Sequence, residues 1–149
     1  PIAMISTVDS DGLVNVAPYS YFMPVTGSPP LVAVTVGGRR ESAPEPKDTW
    51  RNAERTGEFV INMTTDAMRD KIEVAAMEFP RDASELDVLG WHTTPSVKVG
   101  HPSIAESPAH LECRIHRVVD LGDDGPGDRG GGAGVWRRGP GARLGDGGF

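Results

Sequence analysis

The stretch Val14-Asn15-Val16-Ala17-Pro18-Tyr19-Ser20-Tyr21-Phe22 decides the reading of this 149-residue chain. It begins as a strand. Leu13, Val14 and Val16 are apolar, and β-branched valine suits a pleated surface. Pro18 then intervenes. Proline has no N–H to give to a ladder, so it is confined to sheet edges, bulges and strand ends. It also drives the preceding Ala17 toward an extended conformation. The strand is therefore expected to break where Ala17, Tyr19 and Ser20 gather. An interrupted edge leaves main-chain N–H and C=O groups that must find partners, and a flat ring with polar edges is one such partner. A strand that simply ends in a loop at Pro18 explains the same residues equally well.

Working outward, Ala3-Met4-Ile5-Ser6-Thr7-Val8 reads as the strand that pairs with this stretch. Asp9-Ser10-Asp11-Gly12 reads as the four-residue hairpin loop between them. Downstream, Thr26-Gly27-Ser28-Pro29-Pro30 reads as a loop, and the short apolar run Leu31–Val36 as a buried central strand. A polar loop from Gly37 to Pro46 follows. Asp48 is a good N-cap for a short helix that carries Trp50 and Ala53 and ends at the cap glycine Gly57. Phe59–Met63 is the next strand. Thr64 or Thr65 opens a longer helix with Met68, Ile72, Ala75, Ala76 and Phe79 at helical spacing, stopped by Pro80. Ser84 to Gly90 is one capped turn, and Trp91 to Val99 is extended, broken by Pro95. Leu111, Cys113 and Ile115 then alternate with Glu112, Arg114 and His116, a half-buried antiparallel strand running on through Val119 and Leu121. Residues 125–149 show neither period, and glycine dominates them, so they are expected to be irregular or disordered. The order is many strands with inserted helices and no βαβ alternation, which predicts a mainly β fold, a small barrel with helical decoration.

Composition narrows the function. A net charge of -6 and a pI near 5.1 argue against a general nucleic-acid binder, so no nucleic-acid partner is expected. No apolar run has bilayer-spanning length, so no membrane partner is expected, and no secretory pattern is visible. The one cysteine, Cys113, excludes an intrachain disulfide framework, which makes a cytoplasmic setting the default. The chain opens on Pro1, so its true start is expected to be missing or processed.

Several tempting sites fail on inspection. The match to a dinucleotide fingerprint at Gly125, Gly127 and Gly130 lacks the strand before it and the helix after it. His92, His101, His110 and His116 lack metal-ligand spacing, and His110 and His116 read as solvent-side residues of a strand. His110-Leu111-Glu112-Cys113 lacks the C-x-x-C that a zinc deaminase needs. Cys113 shares a face with Leu111 and Ile115 and reads as a buried, inert thiol. Trp50 and Trp91 read as packing residues. The Arg39-Arg40 pair reads as solvated charge before any nucleotide contact. No metal ligand set and no catalytic side chain are assigned.

An ordered set of short stretches nevertheless resembles one family. They are Pro1-Ile2-Ala3-Met4-Ile5-Ser6-Thr7-Val8-Asp9, the Gly12 turn, Asn15 to Phe22, Pro29-Pro30-Leu31, and Lys47-Asp48-Thr49 with Asn52. Thr56-Gly57-Glu58-Phe59-Val60-Ile61-Asn62, Glu106-Ser107-Pro108 and Leu111-Glu112-Cys113 complete the set. Together they resemble the flavin reductase-like family, whose fold is the FMN-binding split barrel. The resemblance covers residues 1–122, with 123–149 set apart as a Gly/Arg-rich tail. The tail departs from the family's closing strands, although Ala142 to Phe149 faintly resembles its glycine-rich ending. A reading-frame disturbance between about Gly127 and Pro140 is one hypothesis for the departure, and sequencing the source DNA tests it.

The resemblance implies a homodimer holding FMN without a covalent bond. It implies hydride transfer from NADH or NADPH to flavin, with reduced flavin supplied to a partner monooxygenase. The alternatives are a flavoredoxin-like FMN electron carrier and a split-barrel binding module that has lost its flavin. It also implies site residues. Asn15, Ala17, Pro18, Tyr19 and Ser20 resemble the segment lining the isoalloxazine ring. Ser6 and Thr7, on the paired strand, reach the ribityl chain or phosphate. Lys47, Asp48 and Thr49 resemble the phosphate-side helix start, and Asn62 a position beside the site. Hydride transfer takes place between cofactor atoms, so the protein is expected to supply orientation.

Overall fold

The computed structural model describes residues 2–37, 45–120, 132–138 and 143–144. The expectations for Pro1, Arg39, Arg40, Leu121, the glycine match at 125–130 and the ending at 145–149 lie outside the described residues.

Strands β1 (Ala3–Val8) and β2 (Val14–Tyr19) form the expected hairpin, and Gly12 takes the left-handed turn position at φ 88°. β3 (Phe22–Gly27) and β4 (Pro30–Val36) form a second hairpin around a cis Ser28–Pro29 bond. Helix α1 (Asp48–Thr56) leads through Gly57 into β5 (Glu58–Met63). A 3-10 turn (Asp66–Met68), α2 (Arg69–Ala75) and α3 (Glu85–Leu89) follow. The short strands β6 (Thr93–Thr94) and β7 (Ser103–Ile104) pair with each other. The long β8 (Ala109–Asp120), then β9 (Gly132–Arg138) and β10 (Arg143–Leu144) complete the described elements.

One antiparallel sheet runs β2-β1-β5-β8-β9-β4-β3, with β10 on β8. β2 also touches β4, so the ends of the sheet curl toward each other. Alternate side chains of the strands fill the inside. Ala3, Ile5, Tyr19, Val34, Phe59, Ile61 and Cys113 form this core, and Ala53 of α1 plugs it. The opposite face of β1 and β2 sends Met4 and Val16 into a second core under α2 and α3, with Met68, Ala75, Leu89, Trp91 and Ile104.

Several expectations are corrected. β2 does not break at Pro18: Ala17, Pro18 and Tyr19 stand opposite Ile5, Met4 and Ala3 in unbroken register. Pro18 is tolerated because β2 is an edge strand and the missing N–H falls on its outer side. β3 lies where a loop was expected from Thr26, with a bulge between Pro24 and Thr26. Asp48 is inside α1, and Lys47 occupies the N-cap without a side-chain cap. α2 stops at Ala75, ahead of Pro80, because residues 76–83 leave the helix to cross the molecule. Between Trp91 and Val99 only Thr93–Thr94 is strand. Glu112 is buried: the chain crosses its face and gives it the N–H groups of Val97 and Lys98.

The glycine-rich tail is corrected as well. β9 pairs β4 on one side and β8 on the other. A strand bonded along both edges is held by main-chain ladders and needs no side-chain alternation, so its sequence gives no strand signal.

Candidate functional site

A cavity of about 330 Å³ lies between β2, the first half of α1 and the crossing segment 75–85. That size suits a small-molecule pocket. β2 contributes Asn15, Ala17, Pro18 and Tyr19, α1 and its cap contribute Lys47, Asp48, Thr49, Arg51 and Asn52, and the crossing segment contributes Ala76 to Arg81.

The main-chain geometry follows from β2 being an edge. The Val16 N–H donates outward to Glu85 Oε2 at 2.8 Å, and the Val14 C=O accepts from the Ser84 hydroxyl. Antiparallel alternation then turns the Ala17 and Tyr19 main-chain groups inward to β1, and leaves the outer side of the strand at Pro18 with a carbonyl and no N–H. The expected row of open groups from Ala17 to Ser20 is thus halved.

A polar network stiffens the wall. Asn15 Nδ2 donates to Thr49 Oγ1 at 2.9 Å, and Asn52 Nδ2 donates to Thr7 Oγ1 at 3.2 Å. Tyr19 is buried and hydrogen-bonded to Thr49. Burial, aided by the nearby carboxylates of Glu85 and Asp48, pushes its phenol far above the ordinary range against the smaller opposing effect of Thr49. Tyr19 therefore stays neutral.

At the mouth, α1 presents its N-terminus. The first N–H groups of a helix have no partner within it and carry partial positive charge. Lys47 stands exposed beside them. Asp48, at the same end, has its carboxylate held by Arg51 at 2.9 Å and by Arg81 at 2.6 Å. Arg81 also pairs with Glu45, which latches the crossing segment to α1.

Of the residues expected from sequence, Asn15, Ala17, Pro18, Tyr19, Lys47, Asp48 and Thr49 meet around this cavity. Ser6, Thr7, Ser20 and Asn62 do not line it. Ser6 donates to the Pro102 carbonyl, and Asn62 holds the Met4 carbonyl, the Ser6 hydroxyl and the Ile104 N–H. Thr7 sits behind the wall as the acceptor for Asn52, and Ser20 is exposed past the end of β2. Sequence reasoning missed Arg51, Arg81, Glu85 and the segment 76–80. Arg81 directly follows Pro80, but nothing in the sequence places it against Asp48, which is 33 residues away.

The flavin reductase like domain family matches residues 1–125. The chain belongs to the flavin reductase-like family. An uncharacterized protein of Halalkalibacterium halodurans is 36% identical over 125 residues, which is 84% of this chain and 59% of that relative. A flavin reductase of Pseudomonas putida is 25% identical over 123 residues, 82% of this chain and 64% of that protein. The crystal structure of nitrilotriacetate monooxygenase component B from Bacillus cereus superposes with a TM-score of 0.87 at 29% identity, covering 98% of this chain and 70% of that one. The fold is the split barrel of flavin reductases. The chain spans about three fifths of the length of the curated relatives it matches.

Proposed function

We propose that the protein binds FMN in the cavity between β2, α1 and the crossing segment, and that it is an NAD(P)H-dependent flavin reductase. The observation that carries this reading is the juxtaposition of a helix N-terminus and Lys47 with a slot walled by Ala17, Pro18 and Ala76. The donor set fits. The main-chain N–H groups of α1 and the Lys47 ammonium suit a phosphate. Asp48 is neutralised by two arginines and so does not repel it. The apolar walls suit a flat ring, and the outer Pro18 carbonyl suits a ring N–H. Flavin supplies the hydride-accepting chemistry when bound. The protein's residues hold and orient it, and a neutral Tyr19 closes the floor without adding charge.

A homodimer and a partner monooxygenase that takes the reduced flavin belong to the same reading. The first is supported by the exposed apolar side chains Tyr21, Met23 and Val25 at the β3 edge. The second is supported by the Bacillus cereus neighbour, itself named as a monooxygenase component. A cytoplasmic setting, where the nicotinamide donor is made, completes it.

Titration of the purified protein with FMN, followed by flavin fluorescence, tests the binding. Saturable quenching is expected, and a linear response with a colourless protein after desalting rejects it. NADH or NADPH oxidation with turnover of added FMN then separates a reductase from a carrier.

A further inference from the structure

The three walls of the cavity differ in how firmly they are held. β2 is paired with β1 residue for residue from Val14 to Tyr19. α1 places Thr49, Asn52 and Ala53 in buried positions, and Asn52 bonds Thr7 of β1. The third wall is the crossing segment, residues 76–83. It is secured at its two ends. Ala75 is buried in the second core, while Ser84 and Glu85 bond the Val14 carbonyl and the Val16 N–H of β2. Between those ends Ala76, Met77, Glu78, Pro80, Asp82 and Ala83 are exposed. The Ala76 and Met77 N–H groups donate back to the Ile72 and Val74 carbonyls, and the Ala83 N–H to Pro80. A span with exposed side chains and short-range hydrogen bonds belongs to the low-stability end of a fold and opens without unfolding the rest.

Mid-span, Arg81 fastens this wall to the opposite one. Its Nη1 donates to Asp48 Oδ1 at 2.6 Å and its Nη2 to Glu45 Oε2. Both terminal nitrogens are thereby taken up by carboxylates 33 and 36 residues away in the chain, at the start of α1 and just before it. The cavity they close over is about 330 Å³, at the small end of ligand pockets. A three-ring ligand with a phosphorylated chain needs a wall to move as it enters and leaves, and the crossing segment is the wall that can.

We propose that the crossing segment is a strap over the flavin cavity, and that Arg81, by pairing with Asp48 and Glu45 together, is the latch that sets how fast flavin enters and leaves. The ligand in this proposal rests on the flavin reading; the latch does not. Loss of the arginine leaves Asp48 paired with Arg51 at 2.9 Å, so the carboxylate at the mouth stays compensated and closure is what changes. Residence time divides a carrier that keeps its flavin from a reductase that passes reduced flavin on, and the latch acts on that time.

Stopped-flow fluorescence of FMN, and of riboflavin, which lacks the phosphate, tests the latch in the full chain. Arg81→Gln is expected to raise both the association and the dissociation rate of each ligand roughly fivefold, the scale of two partly exposed ion pairs. The dissociation constant is expected to move far less than either rate. Glu45→Gln removes one arm of the latch at a residue that does not line the cavity, and is expected to shift both rates the same way by a smaller factor. Circular dichroism checks that both variants are folded. A gate changes entry and exit together, whereas a lost contact changes exit alone. Faster exit at unchanged entry, or an effect confined to FMN, makes Arg81 a ligand contact and overturns the proposal. So do unchanged rates in both variants. Hydrogen exchange of the ligand-free proteins reads the latch without flavin. Residues 76–83 are expected to exchange roughly fivefold faster in Arg81→Gln, and faster in the wild type as salt is raised. Failure of the wild type to bind either flavin rejects the flavin reading; the exchange measurement then decides the latch, and equal exchange in the two proteins rejects it.

Discussion

At the scale of single residues, His101 ties three parts of the fold together. It is buried, its Nδ1 accepts the Val8 N–H at 2.8 Å, and its Nε2 faces the Thr56 hydroxyl at 2.7 Å. A ring nitrogen that accepts carries no proton, so Nε2 bears the proton and donates to Thr56, which in turn donates to the Asn52 carbonyl. Burial holds the His101 pKa below its ordinary 6.5, Glu58 opposes the shift, and Arg55 adds to it. The unfolded chain therefore binds the proton more readily than the folded one. The stabilisation is complete above 6.5 and is lost as pH falls from there through the folded value. Urea midpoints measured from about pH 7.5 down to about 5.5 are expected to fall, and His101→Ala is expected to flatten that dependence. A wild-type midpoint that rises on acidification contradicts the assignment. Lys47 makes the matching prediction for binding. Lys47→Ala is expected to weaken FMN about tenfold at low ionic strength, less as salt is raised. Unchanged affinity at low salt moves the phosphate elsewhere.

At the scale of elements, Gly57 is the hinge between α1, which frames the cavity, and β5, at the centre of the sheet. It closes the helix at φ 71°, its N–H bonding the Ala53 carbonyl. A Cβ there would meet nothing within 4 Å, so the cost of Gly57→Ala is conformational alone, about 1–2 kcal/mol. Denaturant unfolding reads it, and a neutral substitution would mean that the helix end relaxes. Such local grammar was readable without coordinates: the Gly12 turn, the Gly57 end and the Ser84 cap each need only neighbours in the chain. The strands with an apolar rhythm, β1, β4, β5 and β8, were readable for the same reason. What could not be read was set by partners distant in sequence. β3 has five exposed residues of six, so its pattern tracks no core. The helix start at Asp48 looked like a cap, because the arginine that draws it away, Arg81, lies far along the chain. Ser6 and Asn62 entered the expected site through the family resemblance alone, and in the structure Ser6 bonds the Pro102 carbonyl and Asn62 the Ile104 N–H of the segment that folds over them.

At the scale of the whole molecule, β9 is the strand that joins two halves. The path β2-β1-β5-β8 lies on one side of it and the β4–β3 hairpin on the other. Among the described residues the hairpin has no other ladder to the rest, and it is otherwise held by the packing of β4 side chains in the core and of β2 on β4. The family match stops at residue 125, yet superposition on the Bacillus cereus structure covers 98% of this chain. Removing β9 would expose a full ladder edge on both β4 and β8, and β4 would keep only β3 as a partner. A two-stranded hairpin is marginal by itself in water, so Val32, Val34 and Val36 would no longer be held against Phe59 and Ile61 in the core. A chain truncated after Gly125 is therefore expected to lose its cooperative calorimetric transition and its affinity for FMN together, because β2, a wall of the cavity, packs on β4. Retention of a sharp transition at the full-length midpoint would show that the barrel closes without the tail, and that β9 is an addition to the fold and not its join.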